Sequence, residues 1–166
     1  MDNRILLIKS LNFLMEQIFS KLKFITSGEG FIDITNQLNA FIKANNFDSG
    51  IFNLTSLHTS CSLTINENAD PNVLKDLKKY MQAIVPQNCY SSLSINREEI
   101  YYAHHQEGPD DMPAHIKTSL TNTNLSLSFQ KGKIILGTWQ GIYLWEHRYS
   151  KKERNISVHI FGKKNP

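Results

Sequence analysis

Two periodicities alternate along this chain. Residues 18–26 (IFSKLKFIT) alternate loosely between apolar and polar and predict a strand, which Ser27-Gly28-Glu29-Gly30 ends. From 33 to 46 the period lengthens, and Ile34, Leu38, Phe41 and Ile42 fall on one helical face. GIFNLTSL (50–57) predicts a further strand, and HTSCSLTI, rich in β-branched and small residues, follows until NENADP interrupts it. Asp70 is placed to cap a helix and Pro71 suits its first turn. That helix carries an apolar stripe of Val73, Leu74, Leu77, Met81 and Ile84, the pattern of core packing. Residues 86–99 (PQNCYSSLSINREE) are polar and turn-like and predict an exposed excursion.

The last third reads as β. Leu125, Leu127 and Phe129 alternate with Asn124, Ser126, Ser128 and Gln130, and Lys131-Gly132 makes a turn. KIILGTW (133–139) returns, and Gln140-Gly141 allows a bend or bulge. IYLWEHRY and ISVHIF follow on either side of the polar turn SKKER. Consecutive strands with short turns predict an antiparallel meander. With helices packed on one face, the class is α+β, in a single compact domain. In IYLWEHRY a period of two puts Tyr143, Trp145, His147 and Tyr149 on one face and Ile142, Leu144, Glu146 and Arg148 on the other. Glu146 and His147 therefore cannot both enter one cleft without a bulge.

Composition narrows the class. A chain of 166 residues fits one domain with a real core and no need of disulfide staples. The opening MDNRILLIKSLNFLMEQIF is broken by Lys9, Asn12 and Glu16; it is too short and polar to span a bilayer and lacks the pattern of a signal peptide. It reads as a helix or an appended segment, with residues 1–17 as an extension and 18–166 as the domain. The expected compartment is the cytoplasm. Cys61 and Cys89 form no CxxC, which leaves neither a thiolate zinc site nor a disulfide framework. The formal net charge is +3, but the lysines sit in small groups without interleaved aromatics, a solvated surface rather than a nucleic-acid track.

One stretch stands apart from both periodicities. HHQEGPDDMPAHIK (104–117) gathers three histidines, a glutamate and two aspartates. Asp110, Asp111 and Pro113 are helix-start signals for a short helix, AHIKTSL, with His115 in its first turn. The positive end of a helix disfavours an imidazolium, and a neutral imidazole can ligate a metal or accept a proton. The free N–H groups of that turn can hold an anion. His104 and His105 are neighbours, so on an extended strand only one faces a given cleft. Converging histidines and carboxylates suit zinc or another divalent ion. No HExxH, His-x-His or Cys-pair spacing is present, so spacing alone does not establish a metal.

Three segments together resemble a known family: HTSCSLTINENADPNV (58–73), YAHHQEGPDDMPAHIKTSL (102–120) and GTWQGIYLWEHR (137–148). They are similar to the YjbQ family, also labelled secondary thiamine-phosphate synthase, from about residue 20 to the C-terminus. The resemblance implies a compact α+β subunit with an antiparallel sheet, assembled as a homotrimer, with the polar motifs lining a common cleft. It implies His104, His115, His147 and Asp111 as catalytic residues, the three histidines also as metal ligands, and Glu67, Asp70, Asp110 and Asp111 as the acidic positions. Ser60, Glu67, Asp70, Lys117, Thr138, Gln140 and Arg148 are the expected ligand-binding residues. Against the family pattern, residues 86–99 look like an insertion able to reshape the cleft, and Cys61 stands where small residues such as alanine are common.

Three functional readings follow. Thiamine-phosphate formation joins a pyrimidine diphosphate to a thiazole phosphate and expels pyrophosphate. Lys117, Arg148 and the helix N-terminus would hold phosphate, and Asp111 or Glu67 would hold Mg²⁺. Against this, a Mg²⁺–diphosphate site is usually rich in carboxylates, and these motifs are rich in histidine. A metal-assisted hydrolase or lyase acting on a small phosphorylated or anionic metabolite, with zinc or magnesium as the divalent metal, fits the His/Asp chemistry as well. The third reading is a non-enzymatic trimer that binds a ligand or metal. None of the three calls for nucleic acid or a membrane.

Overall fold

The computed structural model describes residues 15–93 and 95–165. The helix or appended segment expected over most of the extension, residues 1–14, lies outside the described residues. β1 (Met15–Ile25) already includes Met15–Gln17, which pair with Lys163–Phe161. β2 (Gly30–Asp33) follows the expected break, and α1 (Thr35–Ala44) buries Leu38 and Ile42. β3 (Phe47–Ser56) and β4 (Cys61–Glu67) come next. α2 (Pro71–Ile84) starts as its sequence predicts, with the Asp70 carboxylate accepting from the Asn72 N–H at 2.8 Å.

The chain is α+β, but its strands do not run as a meander. After the short hairpin β5 (Cys89–Ser91) and β6 (Glu99–Tyr101) come α3 (Asp111–Ser119), β7 (Asn124–Gln130), β8 (Lys133–Ile134), β9 (Gln140–Glu146) and β10 (Glu153–Lys164). One antiparallel sheet has the order β1-β10-β3-β7-β8 and a second the order β2-β9-β4. Of the consecutive strands in the last third, only β7 and β8 pair. The return strand stops at Ile134 because the chain turns at Gly137, whose N–H donates to Gln140 Oε1 at 2.7 Å. β9 is then free to enter the middle of the other sheet.

That position explains its sequence. Ile142 and Leu144 face the main core, with Leu38, Phe52, Leu63 and Val158. Tyr143 and Trp145 face the other way, where Phe31 stacks on Trp145 with ring centroids 4.4 Å apart. A strand covered on both faces reads as a continuous apolar run, which IYLW is. α2 packs on β2 and β4, and α3 on β4. The excursion at 86–99 contributes to the β5–β6 hairpin, closed by backbone pairs between Cys89 and Tyr101.

The stripe on α2 is a correction. Core packing was expected, yet Val73, Leu74, Leu77 and Met81 are only half-buried, and Ile84 is half exposed. The core between the two sheets is filled by α1 and by the strands themselves, which leaves α2 only the outer face of a three-stranded sheet.

Candidate metal centre

α3 begins earlier than the sequence suggested, and the difference organises the site. Asp110 is its N-cap position and Asp111 its first residue, so His115 lies in the second turn and not the first. Asp111 and His115 are therefore four apart on one helical face. His104 reaches the same point from the loop before the helix. One ligand atom from each of His104, Asp111 and His115 lies within 4.8 Å of the others. His105 points elsewhere, its Nδ1 3.0 Å from the Ala103 carbonyl.

The hydrogen bonds around these three residues prepare them as ligands. His115 Nδ1 is 2.9 Å from the Thr59 carbonyl. A carbonyl only accepts, so this nitrogen carries the proton and Nε2 presents its lone pair. Asp111 is 2% exposed. Its Oδ1 accepts from Arg148 Nη1, while Oδ2 has no hydrogen bond. Oδ2 nonetheless lies 2.7 Å from His104 Nε2, a close approach without hydrogen-bond geometry. A buried carboxylate with Oδ2 unbonded beside the His104 nitrogen, and with His115 Nε2 3.7 Å from its Oδ1, is the arrangement a cation would complete. The two imidazoles are partly exposed, so the mouth of the cluster stays open to solvent.

Arg148 holds the carboxylates in place. Its Nε donates to Asp110 Oδ2 at 3.0 Å and its Nη2 to the Glu107 carbonyl at 2.8 Å. Burial alone would push the Asp110 carboxyl up, but the Tyr149 N–H and the Arg148 guanidinium outweigh it and hold the group below the usual aspartate value. The guanidinium is thus spent inside the protein, with no donor pair turned to a phosphate.

Lys117 is likewise internal. It is 2% exposed, and its Nζ sits 2.5 Å from Oε1 of Glu29, which lies in the break between β1 and β2. Glu29 also accepts from Gln82 Nε2 at 2.5 Å, and its carbonyl accepts from Lys78 Nζ at 2.8 Å. One buried carboxylate therefore ties α2 and α3 to the start of the small sheet.

His147 is not in the cluster. It is fully buried, with Nε2 2.8 Å from Ser62 Oγ and Nδ1 without a partner. Burial, with the Lys117 and Arg154 charges nearby, lowers its pKa to about 3. Its neighbour Glu146 lies on the opposite face of β9, as the period of two required, where it accepts from Arg154 at 2.7 and 2.5 Å. Ser60 Oγ accepts from the same guanidinium at 3.1 Å.

The remaining expected residues lie apart. Cys61 pairs with Glu146 at one end of the β4–β9 ladder and Glu67 with Gln140 at the other. Six residues of strand separate these ends by about 20 Å. Glu67 Oε1 accepts from the Asp70 N–H at 3.2 Å, and Thr138 and Gln140 are exposed beside them. Glu67, Asp70, Thr138 and Gln140 thus form a second group, away from His104, Asp111 and His115 within one chain. Thr59 and Glu29 gave no sequence signal, because one acts through its backbone carbonyl and the other lies 88 residues from its lysine; Glu107 belongs to the polar stretch, but it holds Arg148 through its backbone carbonyl. The Asp111–His115 spacing was readable, but only with the helix start placed correctly.

Among the described residues no helix is long and apolar enough to cross a membrane. The family model for UPF0047 protein YjbQ-like sequences matches residues 20–163. The UPF0047 protein YjbQ of Escherichia coli O157:H7 is 42% identical over 130 residues, covering 78% of this chain and 84% of that protein. A UPF0047 protein of Synechocystis is 38% identical over 137 residues, covering 82% and 86%. The crystal structure of an uncharacterised conserved protein of the YjbQ/UPF0047 family from Clostridium acetobutylicum superposes with a TM-score of 0.67 at 32% identity, covering 86% of this chain and 98% of that one. A YjbQ-like protein of unknown function from Sulfolobus solfataricus shares the fold with a TM-score of 0.72 at 22% identity, over 90% and 100%. On sequence and fold together, the chain belongs to the YjbQ-like UPF0047 family.

Proposed function

We propose that this chain is a metal-assisted hydrolase whose ion, zinc by choice of donors, is held by His104, Asp111 and His115. The observation that carries the reading is the unbonded, buried Oδ2 of Asp111 beside His104, with His115, its tautomer fixed by Thr59, in the same cluster. Two nitrogens and one carboxylate oxygen match the donor set of a catalytic zinc site, in which a fourth position is left open. The ion would act there as a Lewis acid on a substrate oxygen. The protein's own part is to orient the donors: Arg148 fixes Asp111, and Thr59 fixes His115.

The thiamine-phosphate synthase reading draws less support. Its diphosphate would need free cations, and Lys117 and Arg148 are both already neutralised by buried carboxylates. Metal content is the test. Untagged protein purified without chelator should carry about one zinc per chain, and His104→Ala and His115→Ala should lose it with the fold intact. No transition metal in the parent protein would refute the reading.

We also propose a homotrimer, since α2 leaves its apolar stripe only half-buried in one chain, with Ile84 half exposed. Light scattering should give three times the 19.1 kDa chain mass. A monomer would refute this.

A further inference from the structure

Beside His115 opens a recess of about 680 Å³, between the loop after β3 and the outer side of α3. Its size suits a small ligand. Its lining carries no lysine, arginine, aspartate or glutamate. What it offers instead is hydroxyl groups, from Ser56, Thr59, Thr118, Ser119, Thr121 and Thr123, and the three on the α3 side have their hydrogens committed. Thr118 Oγ1 donates to the Ala114 carbonyl at 2.9 Å, Ser119 Oγ to the His115 carbonyl at 2.9 Å, and Thr121 Oγ1 to the Lys117 carbonyl at 2.7 Å. A hydroxyl has one hydrogen, so each of these oxygens turns only lone pairs outward. The α3 side of the recess is therefore a row of acceptors.

His58, across the recess, adds the complementary group. Its Nε2 accepts from the Asn155 N–H at 2.7 Å, which leaves the proton on Nδ1 as a donor. Burial and the nearby Arg154 charge lower its pKa, which favours this neutral form. Three oriented acceptors, one donor and no charged side chain favour an uncharged ligand over a phosphate, whose oxygens would meet those lone pairs. An ammonium would lack a carboxylate. A compound with several hydroxyls, each able to give a hydrogen and receive one, suits all four groups.

From this wiring we infer that the recess binds an uncharged polyhydroxyl compound, a polyol or sugar, with one end directed to His115. The inference rests on the metal reading only for what happens at that end, since the recess would hold a polyol with or without an ion. It replaces the small anionic or phosphorylated ligand that the sequence suggested, and since a free polyol has no bond to hydrolyse, the polyol would be the part of a hydrolase substrate that the recess holds.

The test is calorimetric or NMR titration with ribitol, myo-inositol and glucose, and separately with inorganic phosphate and pyrophosphate. Zinc-loaded and chelator-treated protein are both measured. At least one polyol should bind saturably, and Thr118→Val with Thr121→Val should weaken it about tenfold with zinc content unchanged, the scale of two lost hydrogen bonds. Should that double variant unfold, Ser119→Ala at the exposed end of the row is expected to weaken binding alone. Zinc-loaded protein that binds no polyol, that binds phosphate in preference, or that binds polyols equally well without the hydroxyls would overturn the inference. Polyol binding to a protein that takes up no zinc would refute the metal reading and leave this one standing.

Discussion

His147 shows how far a residue's setting can depart from its type. A histidine on a strand near two others invites a ligand role, yet this one is enclosed at Ser62 and kept neutral. Its pKa of about 3, against 6.5 in the unfolded chain, has a defined consequence. Between those values the unfolded chain binds the proton and the folded chain does not, so stability falls as pH drops through that window. Urea unfolding in the presence of chelator checks this. From pH 7 to pH 5 the parent should lose about 2 kcal/mol more than His147→Gln. Equal losses would show that His147 is not held neutral. Lys117 and Arg148 carry the same lesson in charge. Both look like phosphate ligands in the sequence, but their carboxylate partners come from distant segments or from the turn before α3, and each cation is consumed in joining them.

At the scale of elements, what the sequence made legible was local. α1, α2 and the alternating β7 announce themselves through period, and α2 also through its Asp70 cap and Pro71. Pairing is not local, and the meander was lost for that reason: nothing within IYLWEHRY says that β2 and β4, 75 or more residues earlier, will flank it. β2 itself has only four residues and no pattern of its own. The candidate site was legible as a list of residue types and not as a geometry. His104, Asp111 and His115 could each be named, but starting α3 at Ala114 hid the i,i+4 relation that joins the last two. One close approach also leaves no local mark in the sequence. Gly50 on β3 lies opposite Gly162 on β10, and a Cβ at Gly50, where φ is +156°, would sit 2.3 Å from the Phe161 carbonyl oxygen. Gly50→Ala should therefore destabilise the fold by about 2–3 kcal/mol in chemical denaturation, through backbone displacement at the centre of the large sheet. A change under about 0.5 kcal/mol would show that the strands can part there freely.

On the scale of the molecule, the two sheets divide the labour. The larger one, with α1, makes the core; the smaller one, enclosed between that core and α2 and α3, sets the position of Arg148 just beyond β9 and of Thr59 just before β4. The cluster at the start of α3 is thus anchored from two strands that pair with each other, which fixes the carboxylate and one imidazole while His104 stays on a loop. A metal centre assembled in this way should bind with two rigid donors and one that closes on it. The most direct measurement is an anomalous difference map from zinc-loaded crystals, recorded on either side of the zinc edge. The account predicts one strong peak per chain, about 2.0–2.2 Å from His104 Nε2, Asp111 Oδ2 and His115 Nε2. No peak there at saturating zinc, or a peak held by other residues, would contradict it.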